Sequence, residues 1–322
     1  IIESWLYEMF CPPSLTPVEQ ADLMGWWRAW LGYCFSGYMT DRRFYFLVGS
    51  GANGKGVLDS AFNSTMGKFY CRADDNWLSK KGAKNMGAEQ ACPKMMNLRF
   101  ARLAVCAEAS GDKMKLDLAK MKTISAGDKQ TGRGLHGEQQ EFHVMAKIII
   151  CCNEPPDIGL ENAMANRTFA YEMPRQYVVA PDADKPHEML RDAEKANSIH
   201  TKYKDAFASY CCYALKDLLN GSTDAPKLPP DPPIVTAKIQ EVVEESNPAA
   251  KWVKQEVKLN AGRAKSRAFE DGQDLSRVNL EWFIPVTEAH DHFKAAASRK
   301  NYNAAINMDI DRFVRALKQV KG

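Results

Sequence analysis

The chain has 322 residues, 45% of them hydrophobic and 26% charged, with a formal net charge of +3. That length allows two or more structural units with at least one real core, and the composition is that of an ordinary globular protein. No apolar run approaches the length of a membrane span, and so small a net charge neither favours nor excludes a nucleic-acid partner.

The first element is a helix over residues 16–40. Trp26, Trp27, Trp30, Leu31 and Cys34 give it a heavy apolar face near helical spacing. Gly37 and the polar turn Thr40–Arg43 end it. Phe44–Val48 reads as a short buried strand, followed by a glycine-rich loop and a helix over Lys55–Met66. Residues 79–99 are basic and loop-like. Leu103–Ala107 is a second strand, 114–126 a helix, 128–147 a β-hairpin and Ile148–Cys152 a third buried strand. Strands alternating with helices predict an α/β fold with a parallel sheet.

Residues 187–220 read as helical. Pro226–Pro233 holds five prolines in eight residues, which can neither continue a helix nor pair centrally in a sheet. A domain boundary is expected there, followed by helices near 236–258, 286–299 and 307–320. Residues 251–322 carry 14 Lys and Arg against 9 Asp and Glu. That excess permits phosphate contacts, and equally suits a solvated helix face.

Nine cysteines form no CxxC pair and no zinc spacing with histidine. Cys151-Cys152 and Cys211-Cys212 lie in apolar runs and read as small buried residues, which fits a reducing compartment. His290 and His292 read as surface residues before metal ligands. The chain starts at Ile1 without a signal-peptide pattern and reads as part of a longer polypeptide.

Gly49-Ser50-Gly51-Ala52-Asn53-Gly54-Lys55-Gly56 matches GxxxxGK in the required strand–loop–helix context. Glycines let consecutive backbone N–H groups face phosphate oxygens, and the helix N-terminus adds partial positive charge. Lys55 would reach the β- and γ-phosphates of ATP. The next position usually holds a Ser or Thr whose hydroxyl binds Mg²⁺; here it is Gly56, so the metal must lean on water, phosphate and an acid elsewhere.

Hydrolysis needs an acid at the end of a neighbouring strand. Arg102-Leu-Ala-Val-Cys-Ala-Glu108 supplies Glu108 at the carboxyl edge of the sheet, placed to polarise water and help hold Mg²⁺. Asn153 ends the Ile148–Cys152 strand at the same edge, where an amide can position water. Lys122-x-x-Ser-Ala-Gly-Asp128-x-x-x-x-Arg133 leads into the hairpin, and Ala163-Met-Ala-Asn-Arg167 follows the third strand.

This order resembles the superfamily 3 helicases, in particular the primase-helicases of phages, plasmids and large DNA viruses. The resemblance runs from about Trp27 to Pro174. It rests on Leu31-Gly32-Tyr33, the loop GSGANGKG, the strand ARLAVCAE, the segment KTISAGDKQTGR, the strand IIICCNEPP and the segment AMANR. It implies an AAA+-like ATPase core, a hexameric ring with ATP sites shared between neighbours, and ATP with Mg²⁺ as cofactors. Lys55, Glu108, Asn153 and Arg167 would then be catalytic, Arg167 as an arginine finger acting on a neighbour's nucleotide. The second motif has Ala107 where many ATPases carry another acid.

In the family the hairpin projects into the central channel and grips DNA. Its turn here falls at Gly132-Arg133-Gly-Leu-His136-Gly137, which makes Lys122, Arg133 and His136 candidate contacts to single-stranded or forked DNA. A surface hairpin with incidental charges, or Arg133 packing on Asp128, is the competing account. Residues beyond Pro233 resemble the family's winged-helix region more weakly. The expected organisation is an N-terminal helical segment (1–40), an ATPase core (41–225), a proline-rich linker (226–235) and a helical, winged-helix-like domain (236–322). The resemblance further implies an upstream primase or polymerase domain, no membrane partner, and action in the cytoplasm of a host cell. A phosphate-loop phosphotransferase and a nucleotide-binding DNA-binding module are the alternatives.

Overall fold

The computed structural model describes residues 1–73, 78, 93–106, 116–133, 138–155, 157–158, 162–221, 225–247, 249, 286–299 and 308–318. These fall into two compact units, 1–240 and 241–322.

The first unit is built on five parallel strands: β1 (Phe44–Val48), β2 (Tyr70–Ala73), β3 (Leu103–Cys106), β6 (Lys147–Cys152) and β7 (Thr168–Glu172), in the order β2-β3-β6-β1-β7. β1 lies between β6 and β7, with Val48 in register with both Cys152 and Glu172. Every residue of β1, β3 and β6 is buried, which is why β1, β3 and, after Lys147, β6 are continuous apolar runs. This is an α/β, AAA+-like arrangement with the phosphate-loop strand inside the sheet. A separate antiparallel hairpin, β4 (Lys129–Arg133) with β5 (Gln139–His143), precedes β6. A short parallel pair, β8 (Gln176–Val178) with β9 (Glu188–Leu190), follows β7.

Helices α1 (Ile2–Phe10), α2 (Pro17–Phe35), α3 (Lys55–Met66), α7 (Ala193–His200) and α8 (Lys204–Asn220) share one core with the sheet. Between them in sequence lie the single-turn α4 (Pro93–Met96), α5 (Leu118–Ser125) and the single-turn α6 (Asn162–Ala165). α2 starts at a capping box, Thr16 with Glu19, with Pro17 in the first turn. Its tryptophans are buried: Trp27 stacks on Phe10 at 3.9 Å and Trp26 on Phe169 at 4.6 Å. Gly32 sets the closeness of α2 to α8, because a Cβ there would come within 2.4 Å of the Leu215 backbone nitrogen. The helix ends at Phe35, short of residue 40, since Ser36 turns to an extended conformation. The Ser36 carbonyl then accepts from the buried Lys147 ammonium.

The expected helix over 187–220 is divided. Glu188–Leu190 is a strand, and Asp192 caps α7 by accepting the Lys195 N–H at 2.8 Å. A turn at 201–203 then separates α7 from α8. The helix expected from 114 starts at Leu118, where Asp117 accepts the Lys120 N–H at 3.1 Å. The proline-rich stretch carries no helix or strand before α9 (Pro233–Glu245), and Arg43 holds it through Asp231 at 2.5 Å.

In the second unit the described helices are α10 (Val286–Arg299) and α11 (Ile310–Lys318). Phe293 and Phe313 meet at 4.9 Å, and Asn247 Nδ2 donates to Ala316 O at 2.9 Å. His290, expected at the surface, is buried with Nε2 2.8 Å from Met308 O, while His292 is exposed. Any wing strands fall outside the described residues.

Candidate nucleotide and nucleic-acid sites

β1 delivers the chain to the carboxyl edge of the sheet, where Gly49 N–H donates to Cys152 O at 3.0 Å. The loop then folds in conformations that favour glycine: Gly51 has φ +109° and Gly54 φ +83°, while Ala52 tolerates φ +51°. Gly54 caps α3, so the positive end of that helix adjoins the loop, with Val57 N–H donating to Gly54 O at 3.0 Å. A Cβ on Gly49 would meet Asn53 Oδ1 at 2.7 Å and the Lys55 ammonium at 3.1 Å. Lys55 Nζ donates to Gly49 O at 2.5 Å, which keeps its charge over the loop.

Asn53 holds the cradle together. Its buried amide oxygen accepts the Gly51 N–H at 2.8 Å and its nitrogen donates to Arg175 O at 2.7 Å. Tyr177 N–H donates to Ala52 O at 2.8 Å, and Met9 of α1 lies against Gly54. These braces come from residues far away in sequence, and no spacing rule announces them. The helix N-terminus, the bare backbone and the resident cation fit the phosphates of a nucleoside triphosphate.

The metal is less well served. Gly56 has no hydroxyl, although nothing lies within 4 Å of a Cβ built there. Among the described residues no group of three or more His, Cys, Asp or Glu is placed to hold an ion. Glu108 lies outside the described residues. Its strand, β3, runs parallel beside β6, with Cys106 in register with Ile150.

Asn153 directly follows β6 and is exposed beside the Gly49 end of the loop. The buried thiols under this edge are inert: desolvation pushes Cys151 and Cys152 up to about 12, against the opposing pull of Lys55. Cys211 is buried as expected, whereas Cys212 is exposed on α8.

Arg167 sits at the other end of the sheet. It precedes β7, whose Thr168 is in register with Phe44, the first residue of β1. Its guanidinium is half-buried, donating through Nε to Ser125 Oγ at 3.1 Å and through Nη1 to Ala163 O at 3.0 Å. The length of β1, roughly 13 Å, separates it from its own phosphate loop.

The β4–β5 hairpin pairs Lys129 with His143 at its base and Arg133 with Gln139 at its far end. Most of its residues are exposed, Arg133 among them; Gly132 and Phe142 are buried. The anchor is local: Gly132 lies against Met96, Arg99 Nη1 donates to Gln140 Oε1 at 2.6 Å, and His143 Nδ1 lies 2.8 Å from Gly127 O. Asp128 is exposed, and no ion pair joins it to Arg133 among the described residues. His136 lies outside the described residues. Lys122 is half-buried on α5, which precedes the hairpin in sequence.

No known family description matches the chain. A protein of Acanthamoeba polyphaga mimivirus named "Putative helicase" is 31% identical over 128 residues, covering 40% of this chain and 13% of that protein. Among solved structures, the apo A form of the NrS-1 C-terminal region superposes with a TM-score of 0.51 at 14% identity, over 86% of this chain and 63% of that one. The chain thus spans about an eighth of the length of the mimivirus protein and under two thirds of the NrS-1 chain, and the second likeness is one of fold. No helix among the described residues is long and apolar enough to cross a membrane.

Proposed function

We propose that this chain is the ATP-hydrolysing motor of a viral, phage or plasmid DNA helicase of superfamily 3 type. Subunits form a ring, hydrolyse ATP with Mg²⁺ at their interfaces, and move along single-stranded or forked DNA gripped by the β4–β5 hairpin. The observation that carries the reading is the phosphate loop, with bare backbone around the Lys55 ammonium at the carboxyl edge of a parallel sheet. The exposed hairpin and the likeness to a mimivirus protein named for helicase activity support it.

In this reading Gly49–Gly56 cradle the phosphates and Lys55 neutralises charge on the transferred group. Glu108 polarises the attacking water and contributes to Mg²⁺, and Asn153 positions the water. Arg167 completes the neighbour's site, and Lys122, Arg133 and His136 contact DNA. The functional parts are the 1–40 helical segment, the 41–225 core, the 226–235 linker and the 236–322 domain. The whole protein carries a primase or polymerase domain upstream and works in the host cytoplasm.

Phosphate release measured across protein concentrations, with and without single-stranded DNA, tests this. Turnover is expected to rise with DNA and more than linearly with protein, and Lys55→Ala is expected to fall to background. Turnover indifferent to both variables favours a phosphotransferase. Nucleotide binding without phosphate release favours a binding module.

A further inference from the structure

Two large aromatic rings stand in water at the start of neighbouring strands. Phe100 is 61% exposed and Phe69 is 52% exposed. Each lies under an arginine: Arg99 sits 4.7 Å from the Phe100 ring centre and Arg102 5.7 Å from that of Phe69. The two ring–arginine pairs adjoin, since Arg102 N–H donates to Phe69 O at 2.7 Å where Tyr70 and Leu103 bring β2 and β3 into register.

The two segments that carry these rings are basic. Residues 67–73 and 97–106 contain Lys68, Arg72, Arg99 and Arg102 and no Asp or Glu. Among the described residues the hydrogen-bond partners of the two guanidinium groups are neutral: Gln140 Oε1 for Arg99, and Met145 Sδ at 3.0 Å for Arg102. A ring that served only as packing would be covered. Here one face lies beneath a cation and much of the ring is open.

The surface continues into the hairpin. Gln140, which Arg99 holds, is paired with Gly132, and Gly132 lies against Met96 of the same 93–100 segment. Arg133 is the next residue of β4.

We infer that Phe100 and Phe69, with Arg99 and Arg102, form a platform on which bases of single-stranded DNA stack while the hairpin holds the phosphates. The inference rests on the reading of β4–β5 as the DNA grip. Every base has a π-face, so such a platform is tolerant of sequence, as a translocating motor requires. The arginines both polarise the rings and attract the backbone.

The test uses the full chain and two labelled oligonucleotides of equal length, one of thymidines and one of abasic sites that keeps the phosphates but removes the bases. Phe100→Ala and Phe69→Ala are each expected to weaken thymidine binding about ten-fold, with abasic binding unchanged, while Phe100→Trp keeps thymidine affinity. Arg99→Gln is expected to weaken both ligands. Unchanged thymidine binding in both Phe→Ala variants, or equal losses on both ligands, overturns the platform. So does a change of oligomeric state with thymidine binding intact, which would make this surface a contact between copies. If Arg133→Ala weakens thymidine binding and the phenylalanine variants do not, the platform fails and the hairpin reading stands. If the wild-type chain binds neither ligand, both fail together.

Discussion

The side-chain oxygen of Asn53 accepts the backbone N–H of Gly51 at 2.8 Å, so the glycine-rich loop is closed on itself without a ligand. The same amide donates to Arg175 O at 2.7 Å, tying the loop to the segment that follows β7. Asn53→Ala removes both bonds and leaves a loop that holds Ala52 at a positive φ free to rearrange. Its Kd for ATP is expected to rise about ten-fold, the scale of one lost hydrogen bond in a buried setting. Isothermal titration with a non-hydrolysable analogue checks this; an unchanged Kd would mean the loop is held by its glycines and Tyr177 alone.

Gly56 offers a gain-of-contact experiment. Nothing lies within 4 Å of a Cβ at this position and its φ is negative, so a side chain fits without strain. Gly56→Ser restores the hydroxyl usual at this point of the loop. Half-maximal hydrolysis is expected at lower Mg²⁺ concentration in Gly56→Ser, and at the wild-type concentration in Gly56→Ala. Both variants are expected to be more stable by about 0.5–1 kcal/mol, because glycine is a poor helix residue. A Mg²⁺ requirement that falls equally in both would trace the change to helix stability.

The sheet was legible because its central strands are buried on both faces: Phe44–Val48, Leu103–Cys106 and Ile148–Cys152 are unbroken apolar runs. β7 was not legible, since Thr168-Phe-Ala-Tyr-Glu172 mixes polar and apolar residues although four of the five are buried. β2 carries an arginine at the sheet's edge and shows no run at all. The division of 187–220 turns on Asp192, a cap whose role shows only once the chain before it is extended. At the candidate site the glycine pattern announces the loop, but the braces from Met9, Arg175 and Tyr177 depend on tertiary approach. Periodicity and motif spacing carry no information about such contacts.

Lys147 predicts a pH dependence. It is buried at the first position of β6, its ammonium donating to Ser36 and lying 4.6 Å from the centre of the Tyr33 ring. Desolvation lowers its pKa to about 7. Between that value and the ordinary lysine value near 10.4 the unfolded chain binds more protons than the folded one, so stability rises with pH. Below about 7 both states are protonated and the dependence ends. The buried thiols act in the opposite direction at high pH, so the informative quantity is the difference between wild type and Lys147→Met. That difference is expected to change by about 1.4 kcal/mol per pH unit from 7 upward, in favour of wild type. Urea unfolding at pH 6 to 9 measures it; parallel curves for the two proteins would mean Lys147 stays charged.

Arg167 and Lys55 stand at opposite ends of the sheet, and this geometry dictates how Arg167 can act. The arginine precedes β7 at the amino edge, while Lys55 follows β1 at the carboxyl edge. With Nε on Ser125 and Nη1 on Ala163 O, the guanidinium is held in place, so it cannot cross the length of a strand to its own nucleotide. A catalytic role for it is therefore a role in the neighbour's site, which a head-to-tail ring provides. An arginine supplied in trans is worth about three to five powers of ten in phosphoryl-transfer rate. Arg167→Ala alone is expected to lose hydrolysis while keeping nucleotide affinity, because its own loop is intact. Lys55→Ala alone is expected to lose hydrolysis as well. Mixed together with subunit exchange, the two are expected to form rings in which some interfaces join an intact Lys55 to an intact Arg167. Those interfaces are expected to fire, with turnover greatest at intermediate mixing ratios. Dead mixtures in which mixed rings are demonstrated would place the defect of Arg167→Ala in the fold around Ser125. Full activity in Arg167→Ala alone would remove the residue from the mechanism.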